Sequence, residues 1–267
     1  MKTLKQLFAV ITVCIVIYSC ATVPLTGRKQ LSLVPDSEIN AAAAQSYKQL
    51  LSDPKTKVIS TSADAQRVKT IGKKLAVAIE KYLQANGYAD QYNFKWEFNL
   101  IQSPEINAWC MPGGKVAVYS GILPVTKTDA GLAVVMGHEI AHAIAKHSAE
   151  AMSQQLAAQT GGSLVGAAVG GKSQVTQSMV NQAYGLFGQG VLLKYSRDKE
   201  NEADRLGLTF MAMAGYDPNE AVLFWQRMAA SKQGGAPPEF LSTHPSDATR
   251  IQNIKNLIPE AMKYYKK

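Results

Sequence analysis

The apolar positions change period along the chain, and each change marks an element. Val68, Ile71, Leu75, Ile79 and Leu83 recur at steps of three and four, which predicts a helix stopped at its C-terminal end by Gly87. Before it, Asp36 can cap a shorter helix running to about Leu51, and Pro54 with the Ser/Thr-rich stretch behind it marks a loop. The period then drops to two. Phe94, Trp96, Phe98 and Leu100 alternate with Lys95, Glu97 and Asn99, the pattern of a half-buried strand. Two shorter strands are expected over 106–110 and 115–119, either side of the turn Pro112-Gly113-Gly114. From Asp129 onward nearly every stretch reads as helix. The exception is 161–171, apolar and glycine-rich, with Gly162, Gly166 and Gly170 four residues apart; it is too short to cross a bilayer and is expected as a loop or lid over a cleft.

The chain begins differently. Lys2 and Lys5 precede an apolar run over 7–17, interrupted only by Thr12. A spanning helix needs about 20 such residues, so the run suits a secretory leader. Ile17-Tyr18-Ser19-Cys20 resembles a bacterial lipobox, in which the cysteine is lipidated and becomes the first mature residue. The expected organisation is a leader over 1–19, a tether over 20–35 without clear periodicity, and one domain over 36–267.

Composition narrows the class. With 46% apolar and 18% charged positions among 267 residues, the chain is an ordinary globular one, which excludes disordered, collagen-like and multi-span membrane proteins. The net charge of +8 is spread rather than clustered, and no nucleic-acid surface is expected. Of three cysteines, Cys14 lies in the leader and Cys20 would carry lipid. Cys110 is then alone, with no disulfide partner, and reads as a small buried hydrophobe.

The chemistry is concentrated in Gly137-His138-Glu139-Ile140-Ala141-His142, an H-E-x-x-H sequence inside an apolar helix running from Ala130 through Ile144. Four helical residues turn about 40° past one full turn and rise about 6 Å, so His138 and His142 present both imidazoles from one face to a single ion. Glu139 lies about 100° round from His138, beside the metal. A carboxylate there can take a proton from the attacking water and return it to the leaving amine. With four histidines in 267 residues, the motif is expected by chance roughly 0.002 times. Leu132, Val134, Val135, Met136, Ile140 and Ile144 make the helix apolar nearly all round, so the site is expected to be buried, and buried His and Glu need partners. His147 lies about 140° round from His142 and about 180° round from His138 and reads as a helix-surface histidine. Further on, Glu200 and Asp204 are one helical turn apart and share a face, while Glu202 points elsewhere. One carboxylate can bind the ion and the other support it.

H-E-x-x-H followed by Ser-Arg-x-x-Glu-x-x-Ala-Asp resembles the zinc metallopeptidase family that includes the CAAX prenyl protease and the heat-shock protein HtpX. Thr26-Gly27-Arg28-Lys29-Gln30, Asn107-Ala108-Trp109 and Pro112-Gly113-Gly114 resemble its soluble periplasmic lipoprotein branch. The resemblance spans essentially the whole mature chain. It implies an α+β, mainly helical, zincin-type domain of gluzincin-like form with a small antiparallel sheet. It implies one zinc ion per chain held by His138, His142 and Glu200, with Glu139 as catalytic base and Asp204 in proton handling. It implies that Asn107 and Ala108 lie on an edge strand along which a substrate backbone pairs. Ser242-Thr243-His244-Pro245-Ser246 resembles a loop near the family's active site, so His244 can either stabilise the oxyanion or occupy the open zinc position. The expected function is a membrane-tethered zinc endopeptidase of the bacterial cell envelope, on the periplasmic side, acting on unfolded or misassembled proteins. The alternative is a chaperone-like zinc lipoprotein whose site is held closed.

Overall fold

The computed structural model of the protein describes residues 20–23, 26–160, 195–231, 238–244 and 248–266. The leader over 1–19 and the glycine-rich stretch over 161–171 lie outside them.

The stretch over 20–35 is not the irregular tether expected. Cys20–Thr22 (β1) and Lys29–Leu31 (β2) pair antiparallel, with Cys20 opposite Leu31, and Val23, Gln30 and Val34 are buried. Strands of three residues are too short for alternation to reveal them. Helix α1 (Asp36–Ser52) follows, close to its expected span, then β3 (Val58–Ile59). Helix α2 (Ala63–Ala85) is capped by Ser62, whose hydroxyl accepts the Ala65 amide at 3.0 Å, and its predicted stripe from Val68 to Leu83 is buried.

Strands β4 (Glu97–Ile101), β5 (Ala108–Met111) and β6 (Lys115–Tyr119) join β3 in the order β3-β4-β6-β5. The sheet is mixed where an antiparallel one was expected. β5 and β6 form a hairpin, but β6 inserts beside β4 and runs parallel to it, Glu97 opposite Lys115 and Ile101 opposite Tyr119. That insertion leaves β5 at the edge. Phe94 and Trp96, expected within the strand, precede β4 instead and continue its aromatic face as a stack, with ring centroids 4.3 Å apart. Both faces of the hairpin are covered. Ala108, Cys110, Val116 and Val118 enter the main core, while Trp109, Met111 and Ala117 pack with Tyr47 of α1.

After a short α3 (Leu123–Thr126) comes α4 (Asp129–Ile144), capped by Thr128, whose hydroxyl accepts the Gly131 amide at 2.9 Å. It is buried from Gly131 to His142 and touches α2, β5, α6 (Arg197–Met213) and α7 (Glu220–Ala230). Between α4 and α6 lies α5 (His147–Thr160); α8 (Glu239–Thr243) and α9 (Ala248–Ala261) complete the described elements. The pairing of α4 with α6 is unusually close because glycine meets glycine. A Cβ on Gly207 would stand 2.9 Å from the His138 nitrogen, and one on Gly137 would stand 3.0 Å from the Gly207 carbonyl oxygen. Gly207→Ala is therefore expected to push the helices apart and destabilise the fold by about 1–3 kcal/mol, the usual cost of overpacking a filled core. Denaturant unfolding measures it, and an unchanged midpoint would show that the helices have slack.

Candidate metal centre

Helix α4 presents His138 and His142, α6 presents Glu200, and His244 follows the last residue of α8. All four are buried, and one donor atom from each lies within 4.8 Å of the others. His138 Nε2 stands 3.1 Å from His142 Nε2 and 3.2 Å from His244 Nδ1. Glu200 brings Oε1 to 3.0 Å from His244 Nδ1 and 3.4 Å from His142 Nε2, and Oε2 to 3.5 Å from His138 Nε2. Tetrahedral donors about 2.0–2.1 Å from a zinc ion stand about 3.3–3.4 Å apart. The measured separations fit that figure. Three imidazole nitrogens converging on a carboxylate in a dry site is a donor set that suits zinc. Sequence reasoning left His244 between two roles; the structure puts its Nδ1 among the donors.

Each α4 histidine is held from behind. His138 Nδ1 lies 3.0 Å from Asp204 Oδ1, so Asp204 sits behind the ring rather than beside the reacting position. Asp204 also takes a bidentate pair from Arg250 of α9, at 2.8 and 2.7 Å. The same guanidinium reaches Glu200 Oε2 at 2.9 Å and lies over the Trp225 ring, its Cζ 3.6 Å from the centroid. These charges set the titration of the site. Burial alone would lower His138, but the hydrogen bonds it donates to the Asp204 and Glu200 carboxylates outweigh it and push it up to about 9. His142, dominated by burial, falls well below the usual imidazole range. Burial would raise Glu200, but His244 and the hydrogen bonds from the three imidazoles hold it far below the carboxylate range.

His147 is not the surface residue expected. Helix α4 ends at Ile144, Lys146 adopts φ 54°, and α5 starts at His147, so the angular argument over a continuous helix does not apply. The Tyr92 hydroxyl donates to the freed Ile144 carbonyl at 2.6 Å. The break returns the fully buried His147 to the site, its Nδ1 2.8 Å from Nδ1 of His142. Its Nε2 lies 2.9 Å from Glu202 Oε2, and Tyr195 stacks on His142 with centroids 4.3 Å apart. Neither His147 nor Tyr195 carried a spacing signal that pointed to the site.

Glu139 lies beside the cluster, 4% exposed, and its Oε1 has no hydrogen-bond partner; His244 Nε2 is 3.4 Å away. Burial pushes its carboxyl up. Asn107, buried at the start of β5, gives its carbonyl to the Tyr119 amide at 3.0 Å. By the alternation of an antiparallel ladder, Trp109 and Met111 then face β6, and the peptide groups of Ala108 and Cys110 face the sheet edge. The Ala108 amide donates to the Asn107 side chain at 2.9 Å. One step earlier on that edge, the Ile106 carbonyl accepts the Phe240 amide of α8 at 3.2 Å.

Residues 62–258 match the model of peptidase family M48. The chain belongs to that family, whose metallopeptidases use zinc, and the cluster can hold one ion. It is 35% identical to the mitochondrial metalloendopeptidase OMA1 of Schizosaccharomyces pombe, over 90% of this chain and 66% of that protein. It is 29% identical to human OMA1, over 90% of this chain and 46% of the relative. The beta-barrel assembly-enhancing protease of Yersinia pestis is 30% identical, over 72% of this chain and 38% of its own. The chain thus spans 38% to 66% of these relatives' lengths. The matches support the M48 family as a whole and do not single out its CAAX prenyl protease or HtpX members.

Arg250→Ala would leave Asp204 and Glu200 buried without their shared cation. Removing one partner of a buried pair costs about 3–5 kcal/mol, so a loss of stability of that size is expected, read as a clearly lowered melting temperature. A melting temperature within a degree of the parent would mean that the guanidinium is not what compensates these carboxylates.

Proposed function

We propose that the protein is a zinc-dependent endopeptidase of the bacterial cell envelope, with His138, His142 and Glu200 as permanent ligands and Glu139 as the general base. The observation that carries the reading is the orphaned Oε1 of Glu139, a buried acceptor without a partner beside four converging donors. A buried unsatisfied carboxylate oxygen costs about 1–3 kcal/mol or more, and a proton-accepting role in turnover accounts for keeping it. Bound zinc would supply Lewis acidity, polarising a scissile carbonyl and acidifying water. The chain's own residues do the rest. Glu139, its carboxyl pushed up by burial, would take a proton from water and return it to the departing amine. Asp204 and Arg250 hold the His138 ring in place. The outward peptide groups of Ala108 and Cys110, beside Asn107, offer a ladder to an extended substrate.

The substrate class and location rest on other features. One bacterial relative is named for enhancing β-barrel assembly, and the OMA1 relatives are mitochondrial. Together with the leader and Cys20, they support an envelope quality-control protease acting on unfolded or misassembled polypeptides. No helix among the described residues is long and apolar enough to cross a membrane. Attachment would come through lipid on Cys20. Because Cys20 opens β1, that lipid would join the folded domain with almost no slack.

The alternative, a chaperone-like protein with a closed site, is favoured by one observation: His244 completes the donor set and leaves no position for substrate. The two readings part on the activity of variants. Glu139→Gln should keep fold and zinc while losing digestion of an unfolded substrate such as casein by about 10²- to 10⁴-fold. Parent protein inert with or without chelator would instead support the binder. His244→Ala should retain zinc through the other three ligands and raise basal proteolysis, because turnover needs an open position. A loss of about 10²-fold would assign His244 to the oxyanion instead.

A further inference from the structure

We infer that the N-terminal hairpin is a working part of the metal site: Thr26 and Arg28 act as positioning residues for His142, through Glu202 and His147. The inference rests on His142 being a zinc ligand, as proposed above. Thr26 and Arg28 lie outside the 62–258 stretch that matches the family model.

The chain of contacts has one consistent assignment of protons. If Nε2 of His142 gives its lone pair to a metal, its Nδ1 carries the proton and donates to Nδ1 of His147 at 2.8 Å. His147 must then be protonated on Nε2, which donates to Glu202 Oε2 at 2.9 Å. Glu202, 8% exposed at its side chain, accepts Arg28 Nε at 2.8 Å on Oε2 and the Thr26 hydroxyl at 2.5 Å on Oε1. Arg28 is aligned in turn by Glu150 at 3.0 Å and the Gln30 side chain at 3.2 Å. Every ring nitrogen has a partner of the right sense, and no member needs an extra proton. A metal-bound histidine ordinarily donates to a carboxylate, carbonyl or water. Here a neutral imidazole relays that role, and the carboxylate is held by a segment 174 to 176 residues earlier in the chain. The hairpin also explains why Glu202 faces away from Glu200 and Asp204 on α6: it belongs to the other histidine. Thus α6 supports both rings, His138 directly through Asp204 and His142 at one remove through Glu202.

The test uses the full chain loaded with zinc and follows zinc transfer to a colorimetric chelator, with cobalt-substituted protein read by its visible absorption. Losing a supporting partner of a ligand typically costs 10- to 100-fold in metal affinity. Arg28→Ala and Glu202→Ala are each expected to speed zinc loss by about tenfold, and the double variant should be no faster than the more severe single one, because both cut one chain. Arg28→Lys should recover part of the effect and shift the cobalt bands less than Arg28→Ala. Arg205→Ala, on the same helix as Glu202, breaks an exposed pair with Glu260 of α9 and should leave the rate unchanged. Melting of the metal-free proteins separates a general loss of stability: a zinc-loss rate that follows only that melting overturns the inference. So does Arg28→Ala releasing zinc within twofold of the parent. Should Glu202→Ala fail to fold, Arg28→Ala and Thr26→Val, both at partly exposed positions, decide the question by the same rates. Parent protein that binds no zinc would refute the zinc reading itself, an outcome distinct from these.

Discussion

Everything at this site depends on two helices approaching at a pair of glycines. Gly137 precedes the first histidine of α4, and Gly207 lies under the His138 backbone, so the two axes close to a distance that side chains would forbid. At that separation Glu200 and Asp204 of α6 reach the rings of α4 directly, without water between. The electrostatic consequence is severe, because imidazoles and carboxylates are placed in a core lined by Leu132, Val135, Met136, Ile140 and Phe240. Low dielectric makes each unpaired charge costly and each paired one strong. Arg250 balances the acidic side, and a divalent cation at the cluster would balance the rest.

That constraint explains which parts of the fold and site could be read from the chain. The H-E-x-x-H and Glu200/Asp204 spacings are local helical geometry, so they transfer directly from number to face, and the structure brings those residues together. The buried stripe of α2 is legible for the same reason, whereas Asp36, expected as a cap, lies inside the first turn of α1 behind Pro35 and makes no capping hydrogen bond. What was not legible is long-range. Nothing in 94–119 says that β6 will slip between β4 and β5, because parallel and antiparallel strands share one alternation. Arg250 has no spacing relation to the motifs, and its aromatic bed on Trp225 is made by a different helix.

The instructive misreading is His147. Its exclusion was sound for a continuous helix, but a lysine in the left-handed region ends α4 two residues past Ile144. No glycine or proline announces that break. Tertiary contacts select it: Lys146 reaches Asp36 of α1 and lies over the Tyr92 ring, while Tyr92 takes the Ile144 carbonyl. A local conformation of this kind is set by two distant residues, Asp36 and Tyr92, so no window around position 146 contains the information.

The four donors are unequal, and the inequality argues for how the site opens. His138 is backed by Asp204 and Arg250, and His142 by His147 and Glu202. Both stand on a helix of 16 residues, and Glu200 on one of 17. His244 follows a helix of five, and among the described residues its second nitrogen has a single ion-pair contact, Glu139 Oε1 at 3.4 Å, without a hydrogen bond. A ligand with so weak a contact behind it and a short element beneath it is the one that costs least to withdraw. Its withdrawal would also carry away the Phe240 amide that meets the Ile106 carbonyl, clearing part of the edge of β5. One displacement of α8 would therefore move two contacts at once, the His244 donor at the cluster and the Phe240 amide on the Ile106 carbonyl.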